Sequence, residues 1–368
     1  MKRPAYVLIT GGCGFIGTNV AERLLRDGRR VLLYDNLSRA GVEQNLAELQ
    51  SAFGERLDVE TGDVRQARAL TRAVRGAEQV FHFAAQVAVT TSLVDPRTDF
   101  EVNARGTLNV LEAIRGCTAP PPLLFTSTNK VYGALDDVAM TRAGRRYVPE
   151  DARIAAAGIS ERRPLDFHSP YGCSKGTADQ YVLDFARSYR IPAVVFRMSC
   201  IYGLHQFGNE DQGWVAHFLL RALAGEPITL YGDGLQVRDV LFAEDLVEAM
   251  LLAQQHMERT AGQAFNMGGG PGRTISLLEL LDLIERIHGE RPDVTFEEWR
   301  TGDQRYYVSD TERFRSLTGW SPRVPVREGV ERLYRWLAAR QTAKRPAAAA
   351  ARAPIHPRSE PQPEIALR

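Results

Sequence analysis

Short apolar segments alternate with amphipathic segments over the first half of this chain, and this alternation limits the fold more than any other feature. The apolar segments are predicted to be buried strands at residues 6–10, 31–34, 59–61, 80–83, 123–126 and 194–197. Between them lie segments with helical spacing, such as residues 16–28, in which Ile16, Val20 and Leu24 share one face and Gly28 ends the helix. Strands that alternate with helices in this way form an α/β fold with a parallel, doubly wound sheet. Ligands of such sheets bind at the carboxyl ends of the strands.

The composition of the chain argues against several classes of protein. Its 368 residues carry a formal net charge of +1, which gives no electrostatic basis for binding nucleic acid or an acidic membrane surface. No apolar segment approaches the length of a membrane span. The four cysteines show neither metal-site spacing nor the density of a disulfide framework. We therefore expect reduced thiols, no bound metal and a cytoplasmic location.

A glycine-rich turn, TGGCGFIG, stands directly between the first predicted strand and the first predicted helix. Glycines in this context allow a tight turn and a close approach of the backbone to a pyrophosphate, which then lies against the helix N-terminus. The strand–turn–helix context predicts a Rossmann-type dinucleotide site. The residues of this turn that we predict to bind the cofactor are Gly11, Gly14, Phe15, Ile16 and Gly17.

Acidic residues that follow the next two strands refine this prediction. Asp35 ends the second strand, where a carboxylate can bind both ribose hydroxyls of an adenosine and repel a 2′-phosphate. We therefore predict NAD as the cofactor, although Arg39 nearby would suit the 2′-phosphate of NADP. Asp63 follows the third strand and either contacts the adenine edge or serves only its turn. Asn36 and Val64 complete this part of the predicted site, and a scaffold without a nucleotide is the alternative.

The segment HSPYGCSKG contains Tyr171 and Lys175, which are one helical turn apart and share a helix face. An ammonium close to a buried phenol favours the phenolate, so we expect Lys175 to lower the pKa of Tyr171 from about 10 toward neutrality. A tyrosine with such a pKa is a usable general base at physiological pH. Thr128, at the end of the fifth strand, completes a predicted catalytic group. Tyr171 and Lys175 are also predicted to contact the cofactor.

The pattern changes after residue 200, where amphipathic helices at residues 211–227 and 275–290 are separated by glycine-rich turns. We predict that residues 1–200 form the NAD-binding domain, with an excursion over the active-site mouth at residues 136–163. Residues 201–340 are predicted to form mainly a smaller, partly discontinuous α/β substrate-binding domain, from which residues 236–255 return to the first domain. Residues 341–368 are rich in alanine, proline and arginine and are predicted to be a disordered tail.

Longer strings give the chain a resemblance to a known family. These strings are DNLSRAG, QVAVTTS, STNKVYG, LDFHSPYGCSKGTADQY, QFGNEDQGWV and QVRDVLFAEDL. Over residues 5–335 the chain resembles the extended short-chain dehydrogenase/reductase family of nucleotide-sugar epimerases and dehydratases. Within that family it is most similar to the CDP-paratose (CDP-tyvelose) 2-epimerases. The resemblance implies an isomerase with tightly bound NAD, a CDP-hexose substrate and a homodimeric or homotetrameric assembly.

The resemblance also implies a redox cycle that consumes no cofactor. In this cycle Tyr171, assisted by Thr128, takes the proton of a sugar hydroxyl while NAD takes the hydride from the carbon. The keto-sugar then turns over in the pocket, and the same cofactor returns the hydride to the opposite face. Lys175 orients the nicotinamide ribose and holds the tyrosine ionised.

Further residues are carried into the expected site by position. The residues expected to bind the phosphates and nicotinamide ribose of the cofactor are Ala84, Ala85 and Gln86, after the fourth strand. The expected substrate-binding residues are Ser92, Thr128, Asn129, Lys130, Cys200, Arg238, Arg300 and Arg305. The three arginines match residues that hold the diphosphate of a sugar nucleotide, and a surface salt bridge is the alternative for each. At Cys200, where many relatives carry asparagine, a buried packing role is the alternative.

Four competing functions differ in what they require of the site. Dehydratases carry an Asp-Glu pair, and decarboxylases a glutamate, immediately after the catalytic threonine. This chain carries Asn129 and Lys130 there, so it lacks the carboxylate that would take a proton from C5. A 4-epimerase of UDP-hexoses uses the same three catalytic residues and is the main alternative to the 2-epimerase. A non-catalytic NAD-binding sensor is a further alternative, although a sensor has no use for a tuned tyrosine. Lys130 contacts the sugar or a pocket carboxylate, or is structural.

Overall fold

The computed structural model describes residues 5–350 of the chain. Its strands are β1 (Tyr6–Thr10), β2 (Val31–Asp35), β3 (Leu57–Thr61), β4 (Ala77–His82), β5 (Leu123–Thr128), β6 (Met140–Ala143), β7 (Arg146–Pro149), β8 (Ala193–Met198), β9 (Cys200–Tyr202), β10 (Ile228–Tyr231), β11 (Val237–Phe242), β12 (Ala264–Met267), β13 (Thr274–Ser276), β14 (Val294–Glu297) and β15 (Tyr306–Tyr307). Its α-helices are α1 (Phe15–Arg26), α2 (Val42–Phe53), α3 (Ala67–Arg75), α4 (Val89–Val94), α5 (Pro96–Phe100), α6 (Gly106–Arg115), α7 (Ala152–Ala157), α8 (Ser169–Tyr189), α9 (Trp214–Ala224), α10 (Ala243–Gln255), α11 (Met257–Thr260), α12 (Leu277–His288), α13 (Glu312–Thr318) and α14 (Val326–Ala350).

Seven strands form one parallel sheet in the order β12-β8-β5-β4-β1-β2-β3. The predicted doubly wound α/β class is confirmed, and each of the six predicted strands is present with small shifts at its ends. β12 was not predicted, because its four residues follow a long helical stretch and give no periodic signal of their own. It pairs with β8 at the edge of the sheet, although it lies within the segment predicted to be mainly substrate-binding.

Helices cover both faces of this sheet, and the side chains of each strand alternate between the two cores. On β1, Val7 and Ile9 face the core that is shared with α1, α2 and α10. Tyr6 and Leu8 face the opposite core, which is shared with α3, α6 and α8. Strands that are buried on both faces read as continuous apolar runs, which is why the sequence pattern revealed them.

Most of the elements after β8, together with β6 and β7, form a smaller unit beside the carboxyl ends of the strands. β11 pairs with β9, β13 and β15, β10 pairs with β14, and β6 and β7 form a hairpin. Side chains from α9, α12 and α14 build the core of this unit with β10 and β11. α10, which follows β11, packs instead into the core of the large sheet with α1. The predicted excursion at residues 136–163 contains the β6–β7 hairpin and α7.

The final helix bears on the predicted tail. α14 runs to Ala350 and therefore continues past residue 341, at which the tail was predicted to begin. The rest of the predicted tail, residues 351–368, lies outside the described residues.

A buried ion pair fixes α8 against the sheet. The Arg197 guanidinium on β8 donates two hydrogen bonds, each of 2.9 Å, to the Asp179 carboxylate on α8. A third hydrogen bond of 3.1 Å runs from Arg197 to the hydroxyl of Tyr132, which itself donates to the Asn266 side chain on β12 at 2.7 Å. The side chains of Arg197 and Asp179 are 6% and 0% exposed. This network therefore joins α8, two strands and the turn after β5.

We predict that Asp179→Asn lowers the free energy of unfolding by roughly 3 kcal/mol or more, because the substitution leaves the Arg197 charge buried without its partner. The matched control is Asp184→Asn on the same helix, where the pair with Arg187 is largely exposed. The control is expected to change stability by less than about 1 kcal/mol. Urea unfolding followed by circular dichroism measures both. Equal losses in the two variants would contradict this account of the network.

Candidate active site

The glycine-rich turn packs tightly against the loop after β4. Gly11 adopts a left-handed conformation with φ of 67°, and a Cβ atom there would lie 2.6 Å from the amide nitrogen of Ala84. A Cβ atom on Gly17 would lie 2.4 Å from the carbonyl oxygen of Gly11. α1 begins at Phe15, and the preceding residue, Gly14, has no side chain to cap the first N–H groups. These N–H groups can therefore bind an anion.

Asp35 links this turn to the end of β2. One carboxylate oxygen accepts a hydrogen bond from the Cys13 amide at 3.0 Å, and the other accepts one from the Leu37 amide at 2.9 Å. Each carboxylate oxygen offers two lone-pair sites, so both can accept a further hydrogen bond from a ribose hydroxyl. Asp35 thus orients the turn and could hold the ribose.

Asn36 and Asp63 meet beside Asp35. Asn36 donates to the Asp63 carboxylate at 3.1 Å, and Arg65 donates to the same carboxylate at 2.7 Å. The hydrogen bonds from Arg65, against the opposing effect of burial, lower the pKa of Asp63 to about 2. Val64 is buried, and its side chain lies 2.7 Å from where a Cβ of Gly106 would be. Asn36 and Asp63 therefore lie where the adenosine is expected, whereas Val64 packs against a helix.

The loop after β4 runs along the same edge of the sheet. Ala84 approaches the hydroxyl of Thr10, the last residue of β1, at 3.4 Å. Ala85 and Gln86 follow, and the Gln86 amide donates to the Asn103 side chain at 2.9 Å. Asn103 belongs to a π-helical turn between α5 and α6, a distortion that is frequent at functional sites.

Thr128, Tyr171 and Lys175 meet at the carboxyl end of β5. All three are largely buried, with exposed fractions of 7%, 9% and 4%. The Thr128 hydroxyl donates to the Asn129 side-chain oxygen at 3.3 Å, and it lies near enough to the Tyr171 phenol to lower the pKa of the phenol. The Lys175 ammonium donates to the Thr126 carbonyl at 2.6 Å and lies 4.3 Å from the centre of the Phe125 ring. The structure thus brings the predicted catalytic group together.

The electrostatics of this group differ from the prediction. Burial raises the pKa of the Tyr171 phenol to about 12, against the lowering effect of the Thr128 hydroxyl. Burial also lowers the pKa of Lys175 to about 7, against the opposing charges of Asp179 and Asp99. The expected lowering of the Tyr171 pKa by Lys175 is therefore wrong for this structure. The reason is that burial dominates at the phenol while Lys175 directs its hydrogen bond to a main-chain carbonyl.

Ser92 contacts the main chain at the start of α8, next to the candidate catalytic tyrosine. Its hydroxyl accepts a hydrogen bond from the Tyr171 amide at 3.1 Å and donates one to the Val89 carbonyl at 2.6 Å. Ser92 is 0% exposed. In this structure it lies beneath the start of α8, and not on the surface of a sugar pocket as the resemblance implied.

A buried polar network lies under α8, and two of its members, Asp99 and Ser174, were not predicted from the sequence. Ser174 donates to the Asp99 carboxylate, and the Asn103 amide donates to Asp99 at 3.1 Å and to Ser174 at 3.0 Å. Burial raises the pKa of Asp99, against the effects of Ser174 and Lys175. The sequence signal for this network was the presence of polar residues, namely Asp99, Asn103 and Ser174, at helix positions that face the protein interior.

The turn after β5 is held by a loop from the smaller unit. Asn129 donates to the Gln304 side chain at 3.1 Å, and Gln304 donates to the Gly133 carbonyl at 2.6 Å. The Lys130 ammonium donates to the Gly302 carbonyl at 3.0 Å. These three hydrogen bonds hold Asn129 and Lys130 next to the catalytic group.

Arg238 approaches the same loop from β11. Its Nη2 atom lies 2.6 Å from the Oδ1 atom of Asp303, and the Nζ atom of Lys130 lies 3.7 Å from that oxygen. Burial opposes ionisation of Asp303, but the charges of Arg238 and Lys130 prevail and keep the pKa of the carboxyl below its usual value. Asp303 and Gln304, which stand between Arg300 and Arg305 in the string RTGDQR, were not among the predicted site residues.

Arg300 and Arg305 contact aromatic rings of the smaller unit. The Arg300 guanidinium stacks at 3.7 Å on the Tyr231 ring and lies 3.4 Å from the Glu210 carboxylate. Arg305 is exposed. Arg300 thus forms a salt bridge, which was the alternative to a role in binding the diphosphate. Arg238, in contrast, is nearly buried next to Lys130.

Cys200 borders the same region at the start of β9. Its thiol accepts a hydrogen bond from the indole N–H of Trp214 at 3.4 Å, and burial raises the pKa of the thiol. These contacts are those of a packed, uncharged thiol. Across residues 5–350 no group of three or more His, Cys, Asp or Glu side chains is arranged to hold a metal ion.

The sequence profile of the NAD dependent epimerase/dehydratase family matches residues 7–268, which include the glycine turn and all three catalytic candidates. The chain belongs to this family. Among curated relatives it is 42% identical over 337 residues to the CDP-paratose 2-epimerase of Salmonella typhi, a match that covers 90% of this chain and 98% of the relative.

Solved structures of the family share this fold. The UDP-glucose 4-epimerase of Thermus thermophilus, solved in complex with NAD, superposes with a TM-score of 0.75 at 32% identity and covers 90% of this chain and 98% of its own. The dTDP-glucose 4,6-dehydratase of Streptomyces venezuelae, also solved with NAD, has a TM-score of 0.79 at 26% identity, with 92% and 98% covered. Epimerases and dehydratases thus share one scaffold, and the site residues must distinguish them.

The residues of this chain fit the cofactor after which the family is named. The glycine turn leaves the N–H groups of α1 uncapped, and Asp35 retains free lone pairs at the end of β2. The first feature suits a pyrophosphate, and the second suits a ribose with a free 2′-hydroxyl.

We predict that Gly17→Ala lowers the NAD content of the purified protein at least tenfold, because the new methyl group would displace the backbone of Gly11 and Gly12. Gly116→Ala is the matched control, since its Cβ would lie 3.5 Å from the nearest atom. Absorbance of the cofactor that is released on denaturation measures the content. Full occupancy in Gly17→Ala would show that the tight turn is not required.

Proposed function

We propose that this protein is an NAD-dependent nucleotide-sugar epimerase that inverts C2 of a CDP-hexose of the CDP-paratose type. The observation that carries the proposal is the meeting of Thr128, Tyr171 and Lys175 beside a dinucleotide-binding turn. The nucleotide and the position of inversion rest on the 42% identity to the Salmonella typhi 2-epimerase. A UDP-hexose 4-epimerase is the second candidate, because the Thermus thermophilus 4-epimerase shares the fold at 32% identity.

The residues divide the chemistry among them. Tyr171 takes the proton of the reacting sugar hydroxyl, and the neighbouring Thr128 hydroxyl lowers the pKa of the phenol. When bound, NAD accepts and later returns the hydride, and its positively charged ring favours the phenolate. Lys175 lies close enough to the sheet edge to orient the nicotinamide ribose, and its Thr126 contact fixes its position. These groups remove and return one proton at one oxygen.

The turn after the catalytic threonine supports an epimerase over a dehydratase. Asn129 and Lys130 provide no carboxylate for a proton on C5. Asp303 lies nearby, but two cations keep its pKa low, so it is a weak base. Loss of water from the sugar therefore has no base in this part of the site.

The proposal includes tight retention of NAD between catalytic steps. The loop after β2, which begins next to Asp35, contacts the segment that follows β9. Arg39 donates to Gln212, and the Phe207 ring lies 2.6 Å from where a Cβ of Gly41 would be. Arg39 therefore has a protein partner and does not need a 2′-phosphate.

We also propose that the protein is a homo-oligomer in the cytoplasm. Large apolar side chains on α4, α5 and α8 are exposed, namely Leu93, Val94, Phe100, Tyr181 and Tyr189. Clustered exposed apolar residues mark protein contacts. All four cysteines are unpaired, and within residues 5–350 no helix is long and apolar enough to cross a membrane. Sedimentation velocity is expected to give at least twice the mass of one chain, and a monomer would contradict the assembly.

The proposed reaction is tested by NMR of the products from CDP-, UDP-, GDP- and dTDP-hexoses in deuterated water. We expect inversion at C2 of a CDP-hexose, with no solvent deuterium at the inverted carbon, because the hydride returns directly from the cofactor. Inversion at C4 alone would refute the C2 assignment. Deuterium at the inverted carbon would refute direct return.

We predict that Tyr171→Phe folds and retains NAD but loses at least a thousandfold in turnover, because the proton acceptor is absent. Thermal unfolding and cofactor absorbance check the fold and the NAD content. The conservative variant at a surface tyrosine of the same helix, Tyr181→Phe, is the control and is expected to keep full activity. Retained turnover in Tyr171→Phe would remove this residue as the base.

A further inference from the structure

Two cations share one carboxylate at the sugar end of the site. The Nη2 atom of Arg238 lies 2.6 Å from Oδ1 of Asp303, and Nζ of Lys130 lies 3.7 Å from the same oxygen. Two positive charges and one negative charge leave this cluster with an excess of positive charge. The side chains of Lys130 and Asp303 are 21% and 24% exposed, so the cluster is partly open to solvent.

The position of Lys130 relative to the catalytic hydroxyl is set by local hydrogen bonds. Its main-chain amide donates to the Thr128 hydroxyl at 3.2 Å, and its side-chain ammonium donates to the Gly302 carbonyl at 3.0 Å. An ammonium has three N–H donors. The Gly302 carbonyl accepts from one of them and Asp303 faces a second, which leaves the third N–H for a ligand.

The carbon that reacts determines where the phosphate of the substrate must lie. C2 of a hexose is bonded to C1, the carbon that carries the diphosphate, whereas C4 lies across the ring from C1. When C2 is presented to Thr128 and Tyr171, the first phosphate therefore lies close to these hydroxyls. When C4 is presented, the phosphate lies on the far side of the sugar and needs no cation at this position.

We propose that Lys130 binds the phosphate attached to C1 of the sugar and so determines reaction at C2. Asp303 is then a positioning residue that holds Lys130 beside Arg238. The inference rests on the proposed function and deepens it. Charge-assisted hydrogen bonds from an ammonium and a guanidinium to a phosphate are stronger than neutral ones and fix its position.

The electrostatics of the cluster agree with this role. Burial lowers the pKa of Lys130, and the nearby charge of Arg238 lowers it further, while Asp303 opposes both. A phosphate in contact with Lys130 would favour the charged ammonium in the same way as Asp303 does. Asp303 thus supports the charge of Lys130 before the phosphate arrives.

The test compares binding of CDP and CMP to the full-length, NAD-loaded protein by calorimetry. CDP contains the phosphate that would carry the sugar, and CMP lacks it. We expect Lys130→Met to weaken the binding of CDP about tenfold or more and the binding of CMP by less than about twofold. Lys130→Arg is expected to recover most of the CDP affinity. Arg187→Met, at an exposed position of α8, is the control and should change neither affinity.

The possible results separate this inference from the proposed function. If the wild-type protein inverts C2 but Lys130→Met weakens CDP and CMP equally, or weakens neither, the inference is wrong and the function stands. UDP with UMP, GDP with GMP and dTDP with dTMP are measured in parallel. If the wild-type protein binds none of the four diphosphates, both the proposed function and the inference are wrong.

Asp303→Asn tests the positioning role. We expect it to weaken CDP less than Lys130→Met does and to leave the unfolding temperature within a few degrees of the wild type. Because Asp303 acts largely through Lys130, the double variant Lys130→Met/Asp303→Asn should lose less binding free energy for CDP than the sum of the two single losses. Fully additive losses, or an equal effect on CMP, would overturn the assignment of Asp303.

Discussion

The buried ion pair between Arg197 and Asp179 is the contact on which the site depends most. It joins the strand next to β5 with the helix that carries Tyr171 and Lys175, and it extends through Tyr132 to the turn that carries Lys130. Charges are costly to bury, so such a pair contributes more to the choice of a single arrangement than to net stability. Removing one partner would free the helix to shift relative to the strand ends.

Burial has opposite effects on the two titratable groups of the catalytic cluster. It raises the pKa of the phenol and lowers that of the ammonium, so it favours the neutral form of each. Specific neighbours act against burial. The Thr128 hydroxyl lowers the pKa of Tyr171, and the carboxylates of Asp179 and Asp99 raise the pKa of Lys175. The proposed chemistry therefore requires both the tightly packed helix and these partners.

The local rules of the chain predicted most of the large sheet and the position of the glycine turn. Apolar runs predicted six of its seven strands, and the glycine turn lies directly between β1 and α1. The same rules failed for β12, since four residues carry too little periodicity to identify a strand. They also failed for the pKa of Tyr171, because the depth of burial and the direction of the Lys175 side chain depend on contacts distant in the sequence.

The sequence by itself determined the α/β class, the place of the dinucleotide turn and the identity of the residues after the catalytic threonine. Each of these depends on neighbours within a few positions, which periodicity and turn chemistry report directly. The tertiary structure alone decided that Ser92 is buried under α8, that Arg300 pairs with Glu210, and that Lys130 shares Asp303 with Arg238. These contacts join segments far apart in the chain, and packing of the smaller unit against the turn after β5 brings the charges of Lys130, Arg238 and Asp303 within reach of one another.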